Sequence, residues 1–286
     1  MNSISSILRL IRFQDQIFVI LAILIAGFFH SFSINKSLFA LISFTISLLS
    51  FTFALDDISD IKIDRLQKNS RNPIVRKEMS LAFAQLLALM FFILTLMSTV
   101  LLPVNLFRLS LVLIFISMTY SIFIKAKARP PLDLIYHGSS PTIIFIMASS
   151  LYRPFDTTIL LSSLIVFNIF LLIQILLETR DFNADKKLIK TTVVILGIKN
   201  SIKFSIFLLS ALIFLVVLGM ILGTFPFQTS IYLPLSVFLF QPLIKSLKSK
   251  NYVKNLLKEF RIRLIVTTIV FAILFLLITF SNLKQS

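Results

Sequence analysis

The acidic side chains of this sequence are few and lie mainly in two short stretches. Seven of the twelve Asp and Glu residues fall within FALDDISDIKIDR and LLETRDFNAD. Within each stretch they recur at intervals of three and four, which places neighbouring carboxylates on one face of a helix, about 5–6 Å apart. The first acid row consists of Asp56, Asp57, Asp60 and Asp64, and the second consists of Glu178, Asp181 and Asp185.

Such rows of like charge require nearby cations. Two carboxylates about 6 Å apart near a protein surface repel each other by roughly 3 kcal/mol at an effective dielectric constant of 20. The sequence has no Cys and only two His, which excludes disulfides, thiolate catalysis and Cys-ligated metals. Carboxylate oxygens favour Mg²⁺, which usually completes its coordination with water and substrate phosphate.

Basic residues accompany the acid rows. A site that combines carboxylates, Mg²⁺ and Arg or Lys side chains is typical of proteins that bind a diphosphate. Solvated charge at a membrane interface would be the simplest interpretation of one acid row alone. Two rows at helix ends favour a binding site instead. The basic residues considered are Arg65, Lys68, Arg71, Lys125, Lys127, Arg129, Arg180 and Lys186.

The elements that must position these residues are apolar helices. Hydrophobic residues make up 57% of the 286 residues and charged residues only 14%, against about 25% charge in soluble domains. We predict an all-α, polytopic membrane bundle of about nine transmembrane helices that forms a single domain over residues 1–286. The apolar runs cover about 14–33, 37–55, 80–101, 104–124, 132–152, 156–177, 202–223, 228–244 and 263–281.

The basic residues also predict the orientation of the chain in the cell membrane. Nearly all Lys and Arg lie in the amino-terminal segment and in loops 56–79, 125–131, 178–203 and 245–263. The positive-inside rule therefore places the amino terminus and both acid rows on the cytoplasmic side. A formal net charge of +16 on so apolar a chain favours membrane lipids and an anionic substrate as partners, and not nucleic acid.

Several stretches resemble one family. DDISDIKIDRLQKNSRNPI resembles the first signature of UbiA-type intramembrane prenyltransferases, N-D-x-x-D-x-x-x-D followed by a basic residue and R-P. RDFNADKKLIKTTVVILG resembles the second, D-x-x-x-D with a downstream T…G. YSIFIKAKARPPLD is similar to the family's tyrosine–lysine segment, and ILRLIRFQDQ to the arginine before its first helix. This chain departs from the pattern at Asp56, which replaces Asn, at Arg71-Asn72-Pro73, which splits R-P, and at Leu188-Ile189, which replaces Ala-Gly.

The resemblance implies Mg²⁺-dependent transfer of a prenyl group from an allylic prenyl diphosphate to a lipophilic acceptor, with release of diphosphate. A carotenoid, a lipid and a quinone precursor are all open as acceptors. The catalytic and metal-binding residues that it implies are Asp57, Asp60, Asp64, Asp181 and Asp185. The substrate-binding residues that it implies are Arg65, Lys68, Arg71, Tyr120, Lys125, Arg180 and Lys186. Candidates for cation–π contact with an allylic carbocation are Phe51, Phe53, Phe167 and Phe170.

The alternative interpretation is a multi-pass cation transporter in which the two acid rows bind the transported ions. Transporter sites usually lie near the bilayer midplane, between interrupted helices. Here the acids lie at the ends of apolar runs, and the whole chain has only five Gly with which to interrupt helices. The sequence therefore favours the enzyme.

Overall fold

The computed structural model of the chain describes residues 4–28, 35–65, 71–225, 229–230 and 232–248, together with scattered residues between 256 and 270. In this part of the chain every regular element is helical, which confirms the predicted fold class. The helices are α1 (Ile4–Leu10), α2 (Phe13–Phe28), α3 (Lys36–Ser59), α4 (Ile61–Asp64), α5 (Leu81–Val100), α6 (Val104–Met118), α7 (Leu132–Ser150), α8 (Thr157–Leu188), α9 (Thr192–Ile221) and α10 (Tyr232–Lys248).

Five of the described helices are long and apolar enough to cross a membrane. They are α3, α5, α6 with the π-helical turn that follows it, most of α8, and α9. Large apolar side chains such as Leu86, Phe115 and Phe214 are exposed on three of these helices, as expected of surfaces that face lipid. Eight of the nine predicted apolar runs overlap described helices. The ninth, 263–281, falls mostly outside the described residues, so the count of nine stays a prediction.

Residues 1–159 form one compact unit in which α3 packs against several helices. Leu41, Phe44 and Leu48 of α3 are buried in a core shared with α6 and α7. Towards the other end of α3, small side chains such as Ala54 on α3 and Ala84 on α5 line a second core, and small residues let helices approach closely. The carboxyl-terminal end of α3 is therefore held firmly by its neighbours.

Residues 160–286 form a second compact unit, which contains most of α8 together with α9 and α10. Thr191 caps α9, since its hydroxyl accepts a hydrogen bond from the Val194 amide at 3.3 Å. Gly197 has a φ of 74° and a ψ of 157°, which interrupts the helical path of α9. Most of the predicted site loop 178–203 is helical, since α8 continues to Leu188 and α9 begins at Thr192. The hydropathy of the sequence marks where a span leaves the membrane, and the helix continues beyond that point.

Candidate active site

The first acid row occupies the end of α3 and the short helix α4. The Asp60 amide donates to the Asp56 carbonyl at 3.0 Å, and the Asp64 amide donates to the Asp60 carbonyl at 2.8 Å. The helical hydrogen bonding thus continues from α3 into α4, although the backbone at Asp60 departs from helical geometry, with a φ of −97° and a ψ of 2°. The carboxylates of Asp56, Asp57 and Asp60 lie side by side, because pairs of them share the same cations.

Arg12, between α1 and α2, is the first of these cations. Its Nη2 lies 2.9 Å from Asp56 Oδ2 and 3.1 Å from Asp57 Oδ1. Burial alone would lower the pKa of Arg12, but the two carboxylates raise it above its usual value, so the guanidinium stays charged. Its Nε is buried and has no hydrogen-bond partner among the described residues. The ring of Phe53 lies against the guanidinium, 4.7 Å from its carbon.

Lys127 is the second cation. Its Nζ lies 2.8 Å from Asp56 Oδ1 and 2.6 Å from Asp60 Oδ1. Burial would lower the pKa of Lys127, but Asp56 and Asp60 raise it above its usual value. The backbone brings Lys127 there through a π-helical turn at Thr119–Phe123, a left-handed residue at Lys125 with a φ of 51°, and a 3₁₀ turn.

Asn72 connects the segment after α4 to the first acid row. Its side chain is buried, and its Nδ2 donates to the Asp57 carbonyl at 2.7 Å and to Asp64 Oδ2 at 2.8 Å. Its Oδ1 accepts from the Ile74 amide at 3.0 Å. The segment that begins at Arg71 is thereby fastened to the end of α3. Arg71 itself lies close enough to Asp57 and Arg12 to interact with them electrostatically.

The second acid row lies on the last turns of α8. Asp181 pairs with its neighbour Arg180 through two hydrogen bonds of 2.5 and 2.7 Å. Asp185 is buried, and this burial, together with Asp181, raises its pKa to about 6. Glu178 makes different contacts, because it accepts from Gln174 Nε2 at 2.9 Å and from the Val193 amide at 3.2 Å. Glu178 therefore fastens α8 to the first turn of α9, whose amides need acceptors.

The other predicted substrate-binding residues belong to several different elements of the chain. The ring of Tyr120 stacks on Tyr136 with 6.3 Å between centroids. Lys68 lies outside the described residues. Arg12, Lys127 and Asn72 make the closest contacts to the first acid row. The sequence indicated Lys127 only as one of the nearby basic residues and Asn72 only as a departure from the family pattern, and neither these two nor Arg12 were predicted as site residues. The predicted basic residues that are exposed are Arg65, Arg71, Lys125, Arg129, Arg180 and Lys186.

The carboxylates have the chemistry of an Mg²⁺ site. Among the described residues, no three Asp, Glu or His side chains converge as the ligands of one metal ion. Mg²⁺ does not need such a group, because it often binds one or two carboxylates and completes its shell with water and phosphate. Burial, Asp56 and Asp64 raise the pKa of Asp60 to about 6 despite Lys127. A bound cation would lower the pKa of Asp60 again. Carboxylate oxygens are ligands that Mg²⁺ prefers, so these residues fit the metal.

Comparisons with known proteins identify the fold. A sequence model of the UbiA prenyltransferase family matches residues 17–265. A UbiA homologue from Archaeoglobus fulgidus, solved with GPP and Mg²⁺, aligns with a TM-score of 0.72 at 20% identity, over 96% of this chain and 99% of its own. A structure from work on digeranylgeranylglyceryl phosphate synthase in membranes gives 0.72 at 20% identity, over 96% and 98%.

The apo structure of a UbiA homologue from Aeropyrum pernix K1 aligns with a TM-score of 0.69 at 18% identity, over 90% of this chain and 98% of its own. No curated protein matches the sequence significantly. At these identities the solved structures show a shared fold, which extends over almost the whole of each chain.

Proposed function

Since the chain belongs to the UbiA prenyltransferase family, we propose that it transfers the prenyl group of an allylic prenyl diphosphate to a lipophilic acceptor. The observation that carries this proposal is the first acid row, in which three carboxylates at a helix end contact two partly buried cations. The Archaeoglobus fulgidus homologue has been solved with GPP and Mg²⁺ and with DMAPP and Mg²⁺, which supports the same class of donor here.

We assign the Mg²⁺ ligands to both acid rows. Asp57, Asp60 and Asp64 belong to the first row, and Asp181 and Asp185 to the second. When bound, Mg²⁺ supplies positive charge that holds the diphosphate and favours its departure. The oxygen-only donor set and the raised pKa values of Asp60 and Asp185 support this assignment.

Arg12 and Lys127 bind the diphosphate in this proposal. Negative charge develops on the diphosphate as its bond to the prenyl carbon breaks, and fixed cations nearby stabilise that charge. The buried Nε of Arg12 has no partner among the described residues. A buried donor without a partner is unfavourable, and a phosphate oxygen would satisfy it.

The prenyl carbon becomes an allylic carbocation that must be protected from water until the acceptor attacks. Phe53, beside Arg12, offers an aromatic face without a nucleophilic atom. Phe51 packs against Phe92 with 5.0 Å between ring centroids. We propose that the acceptor is lipophilic, with a carotenoid, a lipid and a quinone precursor as candidates, and that the reaction takes place on the cytoplasmic side of the cell membrane.

Diphosphate release tests this proposal directly. The purified chain is incubated in detergent micelles with Mg²⁺, a prenyl diphosphate (geranyl, farnesyl or geranylgeranyl) and each candidate acceptor. We expect Asp60→Ala and Asp181→Ala each to lower turnover by about 100-fold or more, as the loss of a charge-stabilising group does in other enzymes. The matched control is Asp156→Asn, which changes an acid paired with Arg153 between α7 and α8. Unchanged turnover in both Ala variants would falsify the assignment.

A further inference from the structure

The structure assigns a positioning role to Asn72, which nothing in the acid-row pattern indicates. We propose that Asn72 fixes the carboxylate of Asp64 in the orientation that binds Mg²⁺. This inference rests on the function proposed above. Asn72 separates Arg71 from Pro73, where the resembled signature has R-P.

The first step of the argument is that α4 does not fix Asp64 by itself. This helix has only four residues, Ile61–Asp64, and none of them is fully buried. A single helical turn is also unstable without support, because few hydrogen bonds offset the cost of ordering it. The orientation of Asp64 must therefore depend on a contact outside α4.

Asn72 provides that contact from a rigid position. Its side chain is completely buried, and both hydrogens of its amide nitrogen have acceptors in the Asp57 carbonyl and Asp64 Oδ2. The amide cannot be turned over, since its oxygen would then face two acceptors and would lose the Ile74 amide as a donor. One side chain thus joins the backbone of one acid residue to the carboxylate of another.

This arrangement also leaves Asp64 able to bind a metal. Asn72 donates to Oδ2, which leaves Oδ1 for a cation. A ligand that is held in its binding orientation loses less conformational entropy when the metal arrives. Removal of Asn72 should therefore weaken Mg²⁺ binding without removing a ligand.

A double-mutant cycle tests the inference on the full chain in detergent micelles. Mg²⁺ binding is measured by titration calorimetry for the unchanged chain, Asn72→Ala, Asp64→Asn and the double variant. We expect Asn72→Ala to weaken Mg²⁺ binding about tenfold, which corresponds to about 1.4 kcal/mol, close to the lower limit for a hydrogen bond to a charged group. In the Asp64→Asn background the same change should have an effect of less than about twofold.

Asn35→Ala is the matched control. Asn35 caps the other end of α3, where its Oδ1 accepts from the Leu38 amide at 2.9 Å. Loss of this cap should lower the melting temperature and leave the Mg²⁺ dissociation constant unchanged. A general destabilisation of α3 is thereby distinguished from an effect on the acid row.

The possible results separate this inference from the proposed function. If Asn72→Ala binds Mg²⁺ like the unchanged chain, or weakens it equally in the Asp64→Asn background, the role of Asn72 is wrong. If the unchanged chain neither binds Mg²⁺ nor transfers a prenyl group, the proposed function itself is wrong, whatever the role of Asn72. Should Asn72→Ala not fold, Asp64→Glu tests the same contact, because it keeps the carboxylate but displaces it from Asn72. Mg²⁺ binding as tight as in the unchanged chain would then overturn the inference.

Discussion

At the scale of single residues, one of the two cations that contact the first acid row is a lysine that the family pattern does not select. The pattern points to Lys125, whereas Lys127 contacts Asp56 and Asp60 and Lys125 is exposed. The π-helical turn at Thr119–Phe123 adds one residue to a helical turn, and each residue rotates the following chain by about 100°. The spacing of residues in the sequence does not reveal such a turn, and so it does not show which lysine faces the acid row.

Replacement of Lys127 by Gln should therefore weaken binding of the prenyl diphosphate. The change removes a charge that would hold the leaving diphosphate and that offsets Asp56 and Asp60. We expect the KM for farnesyl diphosphate to rise about tenfold, as for the loss of a hydrogen bond between charged groups. Steady-state kinetics at saturating Mg²⁺ measures this change.

Substitutions of two further lysines show whether the effect on KM is specific to Lys127. Lys62 lies exposed on α4, and Lys62→Gln should leave KM within about twofold, as usual for an exposed charge. Lys125→Gln tests the residue that the family pattern favours. A larger rise in KM for Lys125→Gln than for Lys127→Gln would contradict the assignment from the structure.

Other features of the site differ in how far the sequence predicts them. The adjacency of Asp56, Asp57 and Asp60 follows from their spacing, because residues three and four apart are neighbours on a helix. The contact from Arg12 does not follow, since it joins residues more than 40 positions apart in the chain. Such contacts depend on how α1 and α2 pack, which local spacing does not encode.

At the scale of elements, α1 is the helix that precedes Arg12. Leu10 of α1 is buried with Met79 and Ala84 in a core at the end of α3. Arg9 Nη1 lies 2.6 and 2.7 Å from the two carboxylate oxygens of Glu78. These contacts hold α1 against the segment before α5, and so they fix where the chain turns at Arg12.

Replacement of Glu78 by Gln should loosen α1. The pair with Arg9 is about one-third exposed, so its loss should cost at most about 1 kcal/mol of global stability. Local opening should respond more strongly, and we expect faster amide hydrogen exchange in α1 with little change elsewhere. Hydrogen exchange followed by mass spectrometry of peptides measures this difference.

Arg76→Gln is the control for this experiment. Arg76 also pairs with Glu78, at 2.8 Å, but it is half exposed and does not belong to α1. Exchange in α1 should therefore stay as in the unchanged chain. If both variants accelerated exchange in α1 equally, Arg9 would not be the residue through which Glu78 acts.

The helices themselves were largely predictable, and their ends were not. Apolar runs coincide with the long helices because burial in lipid demands both apolar side chains and complete backbone hydrogen bonding. The charged stretch at the end of α8 continues as helix through Leu188, since Glu, Asp and Lys are compatible with helical backbone outside the membrane. Glu178 reinforces this region through its bond to the Val193 amide.

At the scale of the whole molecule, the distribution of Lys and Arg predicts which side of the membrane the two acid rows face. The rule concerns how loops cross the membrane during insertion, and it depends on the basic residues near the span ends. The chain has 28 Lys and Arg against 12 acids, and 12 of these bases lie in loops 56–79 and 178–203 together with the two acid rows. The predicted consequence is a cytoplasmic active site.

Single cysteines can test this sidedness, because the natural chain contains none. Lys62 is exposed on α4, beside the first acid row, and Phe155 is 56% exposed between α7 and α8. A membrane-impermeant maleimide should label Lys62→Cys only in inside-out vesicles and Phe155→Cys only in intact cells, because the positive-inside rule places the two segments on opposite sides. The reverse pattern would place both acid rows outside, and labelling of both positions from one side would refute an odd number of crossings between them.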